Sequence, residues 1–236
     1  MTLVARLTWQ AADPVALAAD LERRLGPGGA AHPSAGGLVV RLGSADVDLI
    51  PWRAEVENDR PHPGGRLVYE PLYDAPGLAG PDAGDVPSAP PSLTLAGVAW
   101  ATVELDRAED ELGPWLDPAT GRDGREPHLG ARTRARRSSD LPGAIIVICE
   151  PDTEGRLAAS LARDGEGPCA LYLAPTEGLA AWRRGAAARG VAVSAVRPGP
   201  LGPSVLVAGP PAGPHLVIVE RRRKSSLGRR GGTIAP

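Results

Sequence analysis

The chain has 236 residues, of which 42% are apolar and 23% are charged, a balance typical of globular proteins and not of disordered ones. Its formal net charge of −2 conceals an asymmetry, because six of the 26 basic residues follow Glu220 and the rest of the chain carries 20 basic against 28 acidic residues. This acidic body and the lack of a long apolar run argue against nucleic acid and membrane partners, so we predict a cytoplasmic protein.

Residues 1–74 predict one βαβββ unit with an additional strand. Asp13 followed by Pro14 is typical of a helix start, because Asp accepts hydrogen bonds from the first free N–H groups and Pro suits the first helical position. Gly26 is placed to end this helix. The segments around the helix predict four strands, at residues 3–10, 38–42, 47–50 and 66–70.

A linker and two further units follow. Residues 75–92 are rich in Pro, Gly and Asp and predict a surface linker, after which residues 93–220 repeat the order of strand, helix and three strands twice. Asp106 and Glu109 resemble a capping box. Residues 221–236 are basic without an apolar period, which predicts a disordered tail. The other segments predict helices at 153–163 and 176–189 and strands at 98–105, 129–137, 144–149, 169–173, 191–196, 204–208 and 215–220.

Residues 150–220 resemble the second half of methylmalonyl-CoA epimerases, which belong to the vicinal-oxygen-chelate (VOC) superfamily together with glyoxalases and bleomycin-resistance proteins. The shared pattern is a strand ending in Glu150-Pro151, the turn Gly165-Glu166-Gly167, and a helix ending in Gly190-Val191. Residues 98–116 (VAWATVELDRAEDELGPWL) are similar to the opening strand and helix of the first module. The resemblance implies an α+β fold of repeated βαβββ modules, whose C-terminal pair forms a half-open curved sheet with a cleft.

In that superfamily a divalent metal typically lies in the cleft, held by His, Gln or Glu from the first and last strands of each module. The resemblance carries these positions onto Trp100, Val147, Cys169 or Ala170, and Val217 or Ile218. Apolar side chains cannot ligate a divalent ion, and one thiol does not make a site. All four histidines, His32, His62, His128 and His215, adjoin a proline, which favours turns and strand entries. We therefore predict no metal and no other cofactor.

A cleft without metal predicts a surface for a small organic molecule. If Trp100 forms a wall of the cleft, side chains two residues along each strand share its face. The predicted ligand-binding residues are therefore Trp100, Thr102, Cys149 and Tyr172, with Arg134 joining them if its strand turns that face inward.

Several charged or reactive side chains leave alternatives open. Arg132, Arg134 and Arg136 project from one face of a strand, which either lines the cleft as an anion site or forms a solvent-facing edge protected by charge. Cys149 is either a reactive thiol or a small buried side chain. Glu104 and Glu150 are the candidates for a base.

The leading hypothesis is a metal-free VOC-superfamily protein that binds a small organic molecule in the sheet cleft, as drug-sequestering relatives do. The Arg-rich, Lys-poor composition indicates a bacterial gene. One alternative is an isomerase or lyase of the glyoxalase or epimerase type that uses protein acid–base groups, and another is an interaction role with the cleft packed shut. The N-terminal unit must also cover its apolar face, by pairing with residues 66–70, by packing on the C-terminal pair, or by forming a homodimer.

Overall fold

The computed structural model describes residues 4–34, 37–42, 45–51, 66–72, 92–139, 143–208 and 214–220. These residues form thirteen strands in two sheets, together with four α-helices, so the predicted α+β class is confirmed. The predicted linker, apart from Ser92, and the predicted tail at 221–236 lie outside the described residues. No helix in the described ranges has the length and apolarity needed to cross a bilayer.

The first sheet consists of one βαβββ unit and one added strand. Its elements are β1 (Val4–Ala11), α1 (Pro14–Leu25), β2 (Ala31–Ser34), β3 (Gly37–Leu42), β4 (Ala45–Pro51) and β5 (Arg66–Leu72). The strand order is β2-β3-β4-β1-β5, with β1 parallel to β4 and antiparallel to β5. As predicted, the Asp13 carboxylate caps α1, accepting hydrogen bonds from the N–H groups of Val15 and Ala16 at 3.0 Å each.

The second sheet has eight strands and joins two further units. Its elements are β6 (Leu93–Ala101), α2 (Leu105–Leu112), β7 (Arg122–Glu126), β8 (Ala131–Arg137), β9 (Ile145–Pro151), α3 (Arg156–Asp164), β10 (Gly167–Pro175), α4 (Leu179–Ala188), β11 (Arg197–Gly199), β12 (Gly202–Val207) and β13 (His215–Val219). The strand order is β11-β12-β13-β10-β6-β9-β8-β7.

All three units share one pairing scheme. In each unit the first strand runs parallel to the last, as β1 does with β4, β6 with β9, and β10 with β13. The second and third units join through antiparallel pairing of β6 with β10, and β5 pairs with β1 in the same antiparallel sense. The described residues therefore form three βαβββ units, two of which share a sheet, and β5 occupies the place of the first strand of a partner module.

Some local predictions were wrong. The Asp106–Glu109 capping box does not form, because α2 begins at Leu105 and its N-cap residue Glu104 makes no side-chain cap. Residues 191–196 do not form a regular strand and contribute one bridge, between Val193 and Val207. Strand β7 was not predicted, because its sequence RDGRE has no apolar alternation.

The outer face of the second sheet carries the larger core. Side chains from α2 and α4 pack on it, and so does the first sheet, whose Leu7 and Trp9 lie in the same buried cluster as Leu171 and Leu173 of β10. The N-terminal unit thus covers its apolar face in two of the predicted ways, by pairing with β5 and by packing on the C-terminal pair.

Hydrogen bonds connect the ends of α1 and α4. The Arg189 guanidinium donates to the carbonyl oxygens of Arg23 (3.2 Å) and Arg24 (3.4 Å), and the Trp182 indole N–H donates to Leu25 (3.4 Å). The carbonyl oxygens at the C-terminal end of α1 carry the negative end of the helix dipole, so the Arg189 guanidinium stabilises those that it contacts.

The inner face of the second sheet carries a separate buried cluster. Six alanines line it, which lets the sheet curl tightly: Ala99, Ala101, Ala131, Ala135, Ala170 and Ala174. Leu157 of α3 enters the same cluster, so the helix between the modules covers part of the interior. The terminal strands β7 and β11 contact each other, which makes the sheet nearly a closed barrel.

Candidate functional site

The five predicted ligand-binding residues lie on different surfaces. Cys149 and Tyr172 face the interior of the curved sheet and are fully buried there. Trp100 pairs with Ile148 and packs with it against the outer core, on the opposite face from Cys149. The predicted strand register was therefore wrong by one residue at Trp100, and Ala99 and Ala101 face inward in its place.

Thr102 is buried in the turn that precedes α2. Its hydroxyl donates to Glu166 (3.0 Å) and accepts from the N–H of Glu104 (3.1 Å). Hydrogen bonds hold the pKa of Glu166 below its usual range. The largest effect comes from Arg107, and smaller ones come from the N–H of Val103 and the Thr102 hydroxyl. These contacts give Thr102 a role in fixing the loop between the two modules.

Arg134 lies on the outer face of β8 among acidic residues. Its guanidinium donates to Asp106 (2.8 Å), Asp123 (3.2 Å) and Glu109. Arg132 pairs with Glu150 in the same way. The basic strand is therefore a charge-neutralised outer face, and the alternative of an inward anion site is wrong.

Glu150, one of the candidate bases, has a structural role. Its Oε2 accepts a hydrogen bond from the N–H of Leu105 at the start of α2 (3.2 Å). Glu220 does the same for Leu179 at the start of α4 (2.8 Å). The other candidate, Glu104, is exposed and lies beside Arg107.

A buried carboxyl that sequence reasoning missed lies inside the curved sheet. Glu126 ends β7 and is fully buried. Its Oε1 accepts a hydrogen bond from the N–H of His128 and its Oε2 accepts one from the Tyr172 hydroxyl, both at 3.0 Å. Burial raises the pKa of Glu126, and the hydrogen bonds from His128 and Tyr172 oppose that shift only in part. The sequence gives no signal for this residue, because RDGREP reads as a solvated loop.

Side chains close the gap between the two terminal strands. A Cβ atom added at Gly199 of β11 would lie 3.1 Å from Glu126 Oε2, a tight contact, so glycine gives the carboxyl its close approach to the backbone here. The ring of His128 lies 3.1 Å from the carbonyl oxygen of Ser204 through Nε2 and 3.3 Å from Ser194 Oγ through Nδ1. Since a carbonyl only accepts, Nε2 carries a proton. We call this contact of β7 with β11 and β12 the seam.

The remaining reactive groups of the interior are held in neutral forms. Burial raises the pKa of Cys169 to about 12 and that of Cys149 well above its ordinary value, so neither thiol is an activated nucleophile. Of the two alternatives for Cys149, a reactive thiol or a small buried side chain, the structure supports the second. His215 contacts Ser160 Oγ at 3.2 Å, and burial, with Arg156 and Arg163, lowers the pKa of His215 to about 4.

One hydroxyl of the interior has no hydrogen-bond partner. Thr133 lies on β8 between Ala131 and Ala135 and faces inward, with 2% of its surface exposed. Within the part of the chain that the structure describes, no acceptor or donor contacts its Oγ1. Leaving a buried polar group unpaired costs about 1–3 kcal/mol, so this atom marks a place where a bound polar group would be stabilised.

The residues present do not fit the metal of the superfamily. The inward positions of the first and last strands are Ala99, Val147, Ala170 and Val217 in the centre of the interior, and none offers an oxygen or imidazole donor. In the described ranges, no three His, Cys, Asp or Glu residues are grouped so that they could hold an ion.

Comparisons with known proteins give matches among solved structures. No family model and no curated protein matches the chain. A methylmalonyl-CoA epimerase from Mycobacterium tuberculosis is 22% identical, with a TM-score of 0.48 over 55% of this chain and 89% of that one. A variant of the Streptomyces coelicolor methylmalonyl-CoA epimerase, solved with 2-nitronate-propionyl-CoA, is 17% identical, with a TM-score of 0.47 over 55% and 97%. A hypothetical protein from Bacillus halodurans C-125 is 18% identical, with a TM-score of 0.46 over 57% and 98%.

The epimerases among these structures belong to the superfamily that residues 150–220 resemble. The fold assignment rests on the chain's own strand order: residues 92–220 form two βαβββ modules joined through their first strands into one curved sheet, the VOC arrangement.

Proposed function

We propose that this protein binds a small organic molecule inside the curved sheet, without a metal ion. One observation carries the proposal: an otherwise apolar interior contains the Glu126–Tyr172 pair and the unpaired Thr133 hydroxyl. Burying such groups without full pairing is unfavourable, and apolar cavities with a few placed polar groups are typical of ligand sites. Cys149 and Tyr172 remain predicted contacts of the ligand, whereas Trp100, Thr102 and Arg134 are left out.

The seam is the proposed entrance. Side chains join β7 to β11 and β12 there, and the described strand pairs include no backbone ladder between β7 and β11. Releasing the two His128 ring contacts costs about 0.5–1.5 kcal/mol for each hydrogen bond. A conformation with an open seam that lies a few kcal/mol above the closed one in free energy is populated enough for a ligand to bind it.

A second candidate is acid–base catalysis of the isomerase or lyase type. The observation that favours it is the burial-raised pKa of Glu126, because a carboxyl tuned upward is suited to exchange a proton near neutral pH. On this candidate, the protein would exchange the α-hydrogens of a bound carbonyl compound with deuterium from solvent. Glu126→Gln would abolish that exchange without abolishing binding.

A thermal-shift screen against metabolites and antibiotics tests the binding function. We expect at least one uncharged compound to raise the melting temperature of the wild type, with a smaller rise in Thr133→Val. Thr176→Val is the matched control, since Thr176 is exposed and lies outside the interior. Elemental analysis of the same preparation should find far less than one equivalent of divalent metal. No stabilisation by any compound would favour the third class, an interaction role with the interior packed shut.

A further inference from the structure

The interior of the curved sheet contains hydrogen-bonding groups but no arginine or lysine in the described ranges. The arginines of β8 point outward, where acids pair with Arg132 and Arg134. The ionisable groups of the interior are Glu126, Tyr172, the two thiols and His215, and burial shifts the pKa of each toward its neutral form. An anion entering this space would lose its water and gain no cationic partner.

The Glu126–Tyr172 pair offers a ligand an uncharged O–H donor in place of a charged group. When Glu126 is protonated, the Glu126–Tyr172 pair holds two O–H protons, but a single hydrogen bond joins the two side chains. The other oxygen of Glu126 already accepts the N–H of His128. The contact between the two side chains uses one of these protons, so the other O–H is a donor for a bound group.

We infer that the ligand is an uncharged molecule whose carbonyl oxygen accepts a hydrogen bond from the Glu126–Tyr172 pair. This inference rests on the proposed binding function and names its ligand class. The Thr133 hydroxyl offers a further donor on the strand next to β7, between the buried residues Ala131 and Ala135. Acids, phosphates and other anions of the same size are excluded.

Probes matched in shape and different in charge test this class. We would measure binding to the full-length protein for acetone with acetate, cyclohexanone with cyclohexanecarboxylate, and acetophenone with benzoate. We expect at least one ketone to bind and its partner anion to bind at least about tenfold more weakly. An anion that binds as tightly as its ketone overturns the inference but leaves the binding function standing. If none of the six binds, the inference fails, and the screen of metabolites and antibiotics decides the binding function.

The pH dependence of ketone binding tests the role of the acid proton. Once Glu126 ionises, both of its oxygens only accept, and the spare donor disappears. Ketone affinity in the wild type should therefore fall at least about tenfold as pH rises through the burial-raised pKa of Glu126.

The variant Glu126→Gln is the control for that experiment. Its amide keeps two N–H donors at every pH, so ketone affinity should become independent of pH while binding persists. A wild-type affinity that does not change with pH, or a pH dependence that survives in Glu126→Gln, overturns the assignment of the donor to this pair.

Discussion

Glu126 is the residue at which stability and function are expected to conflict. Its pKa is higher in the folded chain than in the unfolded chain, because burial disfavours the carboxylate. Stability from this group is present below the ordinary value of about 4.5 and is lost as pH rises through the folded pKa. A buried ionisable group that weakens the fold at neutral pH is typical of sites kept for function.

The first prediction is that Glu126→Gln stabilises the protein at neutral pH, on the order of 1 kcal/mol, because the amide avoids the burial of a charge. Urea unfolding at several pH values measures the effect, and the gain should vanish near pH 4. Glu154→Gln, at an exposed carboxyl, is the control and should change nothing. A variant that is less stable than wild type at neutral pH would contradict the argument.

His215 gives the opposite dependence on pH. Its folded pKa of about 4 lies below the unfolded value of 6.5, so the unfolded chain takes up a proton first as pH falls. Stability should drop by up to about 3 kcal/mol between pH 6.5 and pH 4. His215→Gln should flatten that part of the stability curve, as measured by denaturant unfolding across the range. An equally steep curve in the variant would assign the acid loss to other groups.

At the scale of the elements, the three helices of the βαβββ units begin with different caps. Asp13 caps α1 from its own N-cap position, whereas α2 and α4 lack a side-chain cap of their own. Helix α2 receives the carboxylate of Glu150 from β9, and α4 receives that of Glu220, which directly follows β13. An N-terminal carboxylate satisfies a free N–H and interacts favourably with the helix dipole.

We predict that Glu150→Gln and Glu220→Gln each lower the free energy of unfolding by about 0.5–2 kcal/mol, the range of a lost N-cap. The Glu150 variant also loses its pairing with Arg132, so a double variant with Arg132→Met separates the two effects. Activity or binding should survive in both variants at permissive temperature. Loss of ligand binding in a folded Glu150→Gln variant would indicate that Glu150 is part of the binding site.

The limits of sequence reasoning appear most clearly on β6. Its existence and position follow from its apolar run, but both of its faces are buried, so the alternation that normally distinguishes inside from outside is absent. Trp100 was assigned inward on resemblance, and the fold places it outward. Likewise, Glu126 was missed because β7 becomes a strand through pairing with β8 and not through its own propensity.

Because Trp100 faces the outer core, we expect its indole to contribute to stability and not to ligand binding. Trp100→Ala should cost about 3 kcal/mol, because the indole packs against the outer core while remaining partly exposed. Ketone affinity of the folded variant should equal that of the wild type, as measured by titration below its melting temperature. Tyr172→Phe is the inward counterpart and should alter affinity with a smaller loss of stability. A ligand-binding defect in Trp100→Ala would place the site on the outer face.

At the scale of the whole molecule, the described units share the larger core, so we expect them to unfold together. Trp9 of β1 is 3% exposed and shares a buried cluster with Leu171, Leu173 and Leu216 of the second sheet. Domains that share a core of this kind unfold in one transition, whereas units joined by a polar interface unfold separately.

Trp9→Ala should therefore destabilise the whole chain, by about 3–5 kcal/mol for a buried indole. Circular dichroism reports the two sheets together. The intrinsic fluorescence of Trp9→Ala comes from four tryptophans, three of which (Trp100, Trp115 and Trp182) lie in the C-terminal pair, so it mainly reports that pair. Both signals should shift to the same lower midpoint. Val15→Ala, on the exposed side of α1, is the control and should stay within about 0.5 kcal/mol of wild type. Two separate transitions in Trp9→Ala, with the later one at the wild-type midpoint, would show that residues 92–220 are stable without the N-terminal sheet.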